Sequence, residues 1–337
     1  MEKIIYFKLF ATCIIVKGAS TSLIYDLERI AFYDLSNSFL DILKLSKTKS
    51  ISEIKTIYNN ADDKLIDSFF AQFVSEEIGF YTDDPKLFPE LSCDWESPFT
   101  ITNCIIEVEK SSTFNFESVI NQLNELSCRA VQLRLLSVFS ITDLKSFLNT
   151  FNNSKINHLE ILMPYTNEVK NSDFFGLYNI QPRLNRIMLY SSEEDKIEKD
   201  DNNTLIYFKK DIRIDSSEVI KVERFNTNIE IFSEANHFNL GLNRKVCINK
   251  EGEIKNYLNH TTTFGNIETK NIKDVVGTIE FQEKWTISND KIEVCKKCQY
   301  RYACVSNSDI KKENNKYFKI DMCKFNPILN VWKEYSN

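Results

Sequence analysis

Four cysteines near the C-terminal end are the side chains of this chain best spaced to do chemistry. Cys295 and Cys298 have two residues between them, Cys304 follows after five more, and Cys323 comes after a longer excursion at the end of 317–323. Two thiolates so close can hold one metal centre from a tight turn, and the third and fourth complete a ligand set. Four sulfurs suit an iron–sulfur cluster or a tetrahedral zinc ion. The chain has nine cysteines, so chance spacing is the competing reading. The other five are scattered singly, whereas three of these four crowd into ten positions among basic and aromatic neighbours. That crowding favours a metal centre.

Little else has catalytic spacing, and the catalytic residues are left unknown. His158, His237 and His260 stand far apart and form no metal-binding pair. His158 reads as structural, while His260 sits in a loop where a functional role stays open. There is no Gly-x4-Gly-Lys phosphate loop, and with seven glycines in all a nucleotide cradle is not expected. Glu76-Glu77 and Glu193-Glu194-Asp195 read as solvated ends and loops. Lys296-Lys297 would offset thiolate charge, meet an acidic peptide, or simply face water. Cys13, Cys128 and Cys247 read as small core residues.

Composition narrows the classes. At 337 residues the chain suits two or three domains. A net charge of −6 argues against a broad nucleic-acid surface. No run approaches a membrane span, and the apolar stretch Leu9–Val16 reads as a strand rather than a signal peptide. Scattered cysteines point to a reducing compartment, so a cytoplasmic location is expected.

Three segments position these residues. In 1–90, Tyr6–Val16 reads as a strand, and Leu23–Leu27 and Ala31–Leu35 as a hairpin. Three helices follow: Phe39–Leu45 at helical spacing, one capped at Ser50–Ser52, and one carrying Leu65, Ile66, Phe69, Phe70, Phe73 and Val74, ended by Gly79. Phe80-Tyr81 would close with a short strand. Thr82–Pro98 reads as a linker. In 98–236, strands at Thr100–Val108, Ala130–Leu136, His158–Met163, Leu184–Tyr190, Leu205–Phe208 and Asn228–Phe232 alternate with helices at Phe116–Leu126, Ile141–Phe151 and Asp173–Tyr178. That alternation implies parallel pairing and an α/β layer or partial barrel. The third segment, 237–337, holds the cysteine turn.

A small sheet with an exposed edge can take an extended peptide as one more strand. The edge is expected on Leu23, Ile24, Tyr25, Asp26 and Leu27, or on Ala31, Phe32 and Tyr33, with the third helix flooring the groove. Three strands followed by three helices, with Ser50-Ile-Ser-Glu-Ile-Lys and Glu76-Glu77-Ile78-Gly79-Phe80, resembles the winged-helix-like leader-recognition element of ribosomally made, modified peptides.

The cysteine segment, with Ile248–Ile254 and Phe264-Gly265-Asn266-Ile267, resembles a SPASM domain, an auxiliary-cluster module of radical S-adenosylmethionine peptide-modifying enzymes. The middle segment resembles their partial (β/α)6 barrel, opening at Ile101-Thr102-Asn103-Cys104. The family's Cys-x3-Cys-x2-Cys loop is absent: after Cys104 come Ile105–Lys110 with no further cysteine, and Leu135–Phe139 replaces the glycine-rich stretch. A single Cys104 cannot hold that cluster, so no S-adenosylmethionine is expected. Gly241, Tyr257 and Asn307 or Ser308 stand where a further auxiliary cluster would take ligands.

With Tyr6–Phe10, Leu242–Lys245, Lys250–Asn256, Tyr300-Arg301-Tyr302 and Asn326-Pro327, the whole is similar to the SPASM-domain peptide maturases of grasp-with-spasm systems. The resemblance implies a precursor peptide and an ATP-grasp ligase as partners, and one [4Fe-4S] cluster or Zn2+ on Cys295, Cys298, Cys304 and Cys323. It favours a non-radical adaptor. A redox or radical-type peptide-modifying enzyme and a zinc-stabilised structural protein stay open as alternatives.

Overall fold

The computed structural model describes residues 4–214, 220, 222–321 and 323–333. It has a mixed α/β architecture around one large, mostly parallel sheet, with a smaller mixed unit at the N-terminal end. Among the described residues no helix is long and apolar enough to cross a membrane.

In the N-terminal unit the expected single strand is two, β1 (Tyr6–Leu9) and β2 (Cys13–Val16), because a turn at Phe10 bonds its carbonyl to the Cys13 N–H. β3 (Thr21–Asp26) and β4 (Ala31–Ser36) form the expected hairpin, and β2 joins it to give the order β2-β3-β4. The helices α1 (Leu40–Ser46), α2 (Ile51–Ile57) and α3 (Asp63–Ser75) follow. Ser50 caps α2 in a reciprocal box with Glu53, satisfying two otherwise orphaned N–H groups. β5 (Gly79–Thr82) returns antiparallel to β1.

Gly79 does not end α3 as expected. The helix closes through Glu76 and the left-handed Glu77, while Gly79 lies in β5. A Cβ there would come within 2.4 Å of the Phe7 ring, so glycine lets β5 approach β1. Phe7 and Phe70 stack at 4.5 Å in the middle of this unit's core.

The large sheet is built from β6 (Asn103–Val108), β7 (Ala130–Leu135), β8 (His158–Pro164), β9 (Leu184–Tyr190), β10 (Lys196–Asp200), β11 (Asn203–Phe208), β12 (Lys245–Ile248) and β13 (Ile254–Lys255). Their spatial order is β10-β11-β9-β8-β7-β6-β12-β13. The six inner strands run parallel, and β10 and β13 are antiparallel additions at the two ends. The sheet is therefore open. The interleaved helices are α4 (Phe116–Glu125), α5 (Ile141–Asn149), α6 (Asn171–Ile180) and α7 (Ile229–His237).

One expected strand is a helix. Asn228–Phe232 leads into α7: the Asn228 side chain accepts the Ile231 N–H at 2.8 Å, and Phe232 and Ala235 face inward at helical spacing. The sixth parallel strand is β12, beyond the expected boundary at 236/237. One buried core accordingly draws on both sides of that boundary, from Ile101 to Tyr207 and from Leu242 to Trp285.

The C-terminal segment adds the short helices α8 (Ile272–Val276) and α9 (Ile279–Gln282). Two small hairpins follow, β14 (Ile310–Glu313) with β15 (Lys316–Lys319), and β16 (Phe325–Asn326) with β17 (Val331–Trp332).

Replacing Phe70 by Ala should cost about 3–5 kcal/mol of unfolding free energy, since it empties a fully buried stacked site. Leu65→Ala on the exposed side of α3 should stay within about 0.5 kcal/mol. Denaturant titration of the two variants checks the contrast.

Candidate metal centre and peptide edge

The cysteine turn is wound tightly before any metal is considered. Cys295–Lys297 forms one turn of 3-10 helix, with Cys298 N–H bonded to Cys295 O at 2.9 Å. The next amide is aimed at sulfur: Tyr300 N–H donates to Cys298 Sγ at 3.4 Å. An N–H directed at sulfur favours the thiolate, the form that binds metal. β15 is laid alongside by Glu293 N–H to Tyr317 O at 2.9 Å, which brings Lys319 to the cysteines.

Cys295, Cys298 and Cys304 are half-buried and Cys323 is exposed. Burial pushes the Cys295, Cys298 and Cys323 thiols up, and neighbouring cysteine sulfurs add to the effect at each. Burial alone would lower the Lys319 ammonium; the Cys304, Cys295 and Cys323 sulfurs outweigh it and hold it above its ordinary range. Cys295, Cys304 and Cys323 are thus within electrostatic reach of Lys319, and Cys298 is within reach of those three sulfurs. Among the described residues, however, no three His, Cys, Asp or Glu side chains are drawn together into a metal cage.

The donor chemistry fits a sulfur-ligated centre. Four thiolates around a Zn2+ ion, or around an iron–sulfur core of the same charge, leave a net charge of about −2, which a neighbouring lysine offsets.

Cys104 stands apart from this group. It lies inside β6, 1% exposed, with burial pushing its thiol well up and Cys128 and Cys247 nearby. It is a core residue within a strand, not a member of a ligand loop. Cys13, Cys128 and Cys247 are likewise buried.

The three positions where further cluster ligands were sought are filled otherwise. Gly241 packs against the backbone of Ser306 so closely that a Cβ would come within 2.1 Å of its carbonyl oxygen. Tyr257 is fully buried, its hydroxyl accepting from Arg134 Nη2 at 3.1 Å. Asn307 O faces His260 Nε2 at 2.9 Å. His260 is buried beside Asp309, which pairs with Lys284 at 2.5 Å. His158 is half-buried on β8 next to Glu160, and His237 ends α7.

The expected peptide edge needs correction. β3 pairs with β2 on one side and β4 on the other, so Leu23, Ile24, Tyr25 and Asp26 lie in a central strand, with Leu27 just beyond it, and offer no open edge. All five are buried. Asp26 is engaged in the hairpin turn, its Oδ1 accepting the N–H groups of Glu28 and Arg29. Ala31, Phe32 and Tyr33 belong to β4, whose outer edge is unpaired among the described residues.

Pairing parity says which groups face out there. Leu27 N–H bonds Thr12 O, so the odd residues of β3 face β2 and the even ones face β4. Ser22, Ile24 and Asp26 thus pair with Leu35, Tyr33 and Ala31, leaving the backbone of Phe32 and Asp34 outward.

Both faces of this sheet are covered. Cys13, Ile24 and Leu35 pack on α1 to α3. Val16, Leu23, Tyr25 and Leu27 pack on Phe232 and Ala303, with Tyr300 and Tyr302 at the margin. Polar bonds join the sheet to the cysteine turn: Tyr25 OH to Gln299 O at 2.7 Å, Ala19 N–H to Lys297 O at 2.9 Å, and Arg301 Nη1 to Lys17 O at 2.7 Å. Gly18 is held in a tight turn, where a Cβ would lie 2.2 Å from Thr21 O, and its lack of a side chain also leaves room for Gln299, whose Oε1 would be 2.9 Å away. The sequence carried no sign of that contact.

A cavity of about 890 Å3 lies on the β2 side of the sheet, lined by β1, β2, the linker from Leu87 to Cys93, α7 and Tyr302.

No family model and no curated protein matches the sequence. Among solved structures the chain is similar to Streptococcus suis SuiB bound to precursor peptide SuiA, at 11% identity over 90% of this chain and 94% of that one, with a TM-score of 0.26. A likeness that loose carries no argument about this chain's fold or activity.

Burial lowers the His260 pKa below its ordinary 6.5. The unfolded chain then takes up a proton below about pH 6.5 that the folded chain refuses, so this residue's stability contribution is full above that pH and falls as pH drops through it. His260→Gln should flatten the pH dependence of unfolding free energy between about pH 7 and 5. An unchanged slope would contradict the assignment.

Proposed function

We propose that this chain is a peptide-binding component of a ribosomal peptide maturation system, acting as a non-radical adaptor for an ATP-grasp ligase. The N-terminal unit, a winged-helix-like leader-recognition element, takes the precursor's leader as a strand on the outer edge of β4, at Ala31, Phe32 and Tyr33. The middle segment is a degenerate radical-type barrel. The C-terminal segment is a SPASM module holding one [4Fe-4S] cluster, with Zn2+ as the other ion this donor set suits, on Cys295, Cys298, Cys304 and Cys323.

The observation that carries this reading is that the edge-bearing sheet and the cysteine turn are packed as one unit. Tyr25 in the central strand bonds Gln299, the residue after Cys298, and Phe32 on the edge strand meets the Tyr300 ring at 5.9 Å. A peptide on β4 therefore docks next to the centre. Cys104, buried within β6, supports a barrel that starts no radical chemistry. Phosphate activation falls to the ligase, consistent with the lack of a nucleotide cradle.

The test uses protein purified without oxygen and the short peptide encoded beside its gene. Iron and sulfide should be present at a ratio expected for one cluster; zinc alone identifies the other ion. Cys295→Ala and Cys298→Ala should lose the metal and the folded C-terminal third together, because in such small modules metal binding supplies folding free energy. Leader binding should be lost in Asp34→Pro, which removes an outward N–H of β4. Binding insensitive to leader sequence, or turnover of S-adenosylmethionine to 5′-deoxyadenosine, would overturn the reading.

A further inference from the structure

We infer that the sheet has a second strand-addition site, on the outer edge of β2, which takes an extended peptide of alternating apolar and acidic residues. This rests on the peptide-binding reading above and adds a second edge to it.

The parity that frees Phe32 and Asp34 on β4 also fixes β2. Thr12, Ile14 and Val16 face β3, so the backbone groups of Cys13, Ile15 and Lys17 point outward. Two of these are already used, and a third bond continues the row. Cys13 N–H bonds Phe10 O, Lys17 O accepts from Arg301 Nη1, and the edge runs on to Ala19 N–H, which bonds Lys297 O. The metal turn thus occupies one end of this edge. At the other end Ile15 N–H, Ile15 O and Cys13 O have no partner among the described residues, and Cys13, Ile14 and Ile15 line the 890 Å3 cavity. The open groups continue an interface the protein already makes, along a half-open cleft. An added backbone strand is the partner that satisfies such a row.

The lining sets the side-chain chemistry. Phe7, Phe10, Phe80, Phe88, Phe232 and Tyr302 make it aromatic. The charged lining residues are Lys8, Lys47 and Arg301 against one carboxylate, Glu90. Glu90 is bound to Lys47 and lies within electrostatic reach of Lys8, and Arg301 is paired with Asp290 from outside the cavity. Among the described residues Lys8 Nζ hydrogen-bonds the carbonyls of Pro85 and Phe88, so the lining keeps a small net positive charge centred on Lys8. An apolar strand with carboxylates complements that surface, and a basic one does not.

The experiment measures fluorescence anisotropy of short labelled peptides with the intact protein. One peptide alternates Val and Glu, one alternates Val and Lys, and a third is the Val/Glu peptide N-methylated along one edge. The Val/Glu peptide should bind at least about tenfold tighter than the Val/Lys peptide, and N-methylation should weaken it about tenfold. Ile15→Pro removes the outward N–H while sparing the β2–β3 bonds, a position where an edge strand tolerates proline. It should weaken binding about tenfold, and Asp34→Pro should leave it unchanged.

Loss of binding in Asp34→Pro but not in Ile15→Pro puts the peptide on β4, overturning the second site and leaving leader capture standing. Failure of the Val/Glu peptide to bind, or equal binding of acidic and basic peptides, overturns the second site. Indifference to N-methylation does so even where Ile15→Pro fails to fold. Indifference to both proline variants, together with leader binding unaffected by Asp34→Pro, overturns both.

Discussion

Tyr25 is the hinge point of the architecture. It is fully buried in the central strand of a sheet whose two faces are both covered, and its hydroxyl reaches the carbonyl of Gln299 across 2.7 Å. A buried phenol needs such a partner, and the bond contributes about 1 kcal/mol by itself. Its larger effect is geometric. The partner belongs to the turn that carries Cys298, so the position of the N-terminal sheet and that of the cysteine turn are set together. Gly18, Arg301 and Ala19 repeat the linkage along the neighbouring edge. Among the described residues the outer edge of β4 and the Ile15 stretch of the β2 edge stay open, because the remaining contacts use the sheet's faces and the far end of β2.

The large parallel sheet supplies a frame for this joint. β12 completes it beside β6, and the chain then passes through β13, α8 and α9 to the cysteine turn. Its polar interior is committed to structure: Arg134 is buried with Gln132 and Tyr257, and His260 lies beside Asp309 and Lys284. Such groups, once desolvated, are stable only when paired.

Much of the order of elements was legible in the sequence, because long amphipathic repeats such as α3 and α4 and apolar runs such as β8 and β9 depend on local pattern. The cysteine spacing was legible for the same reason. What failed depended on partners distant in the chain. Asn228–Phe232 has strand-like composition, yet the Asn228 cap and the inward Phe232 and Ala235 make it helical. Lys245–Ile248 is too short to announce itself as an inner parallel strand. Leu23–Leu27 looked like an edge since nothing local says that β2 would pair on its far side. The contact of Lys17–Thr21 with 297–301 joins residues from opposite ends of the chain, and no pattern within either segment encodes it.

Hydrogen exchange on the protein carrying the proposed metal, before and after its removal by chelation, tests the shared seating of sheet and cysteine turn most directly. Amides of Leu23 and Tyr25 should lose protection along with those of Cys298 and Tyr300, while amides of β8 and β9 keep theirs. Protection of Leu23 and Tyr25 unchanged by metal removal, with the cysteine turn released, would show that the two are independent and would contradict the account.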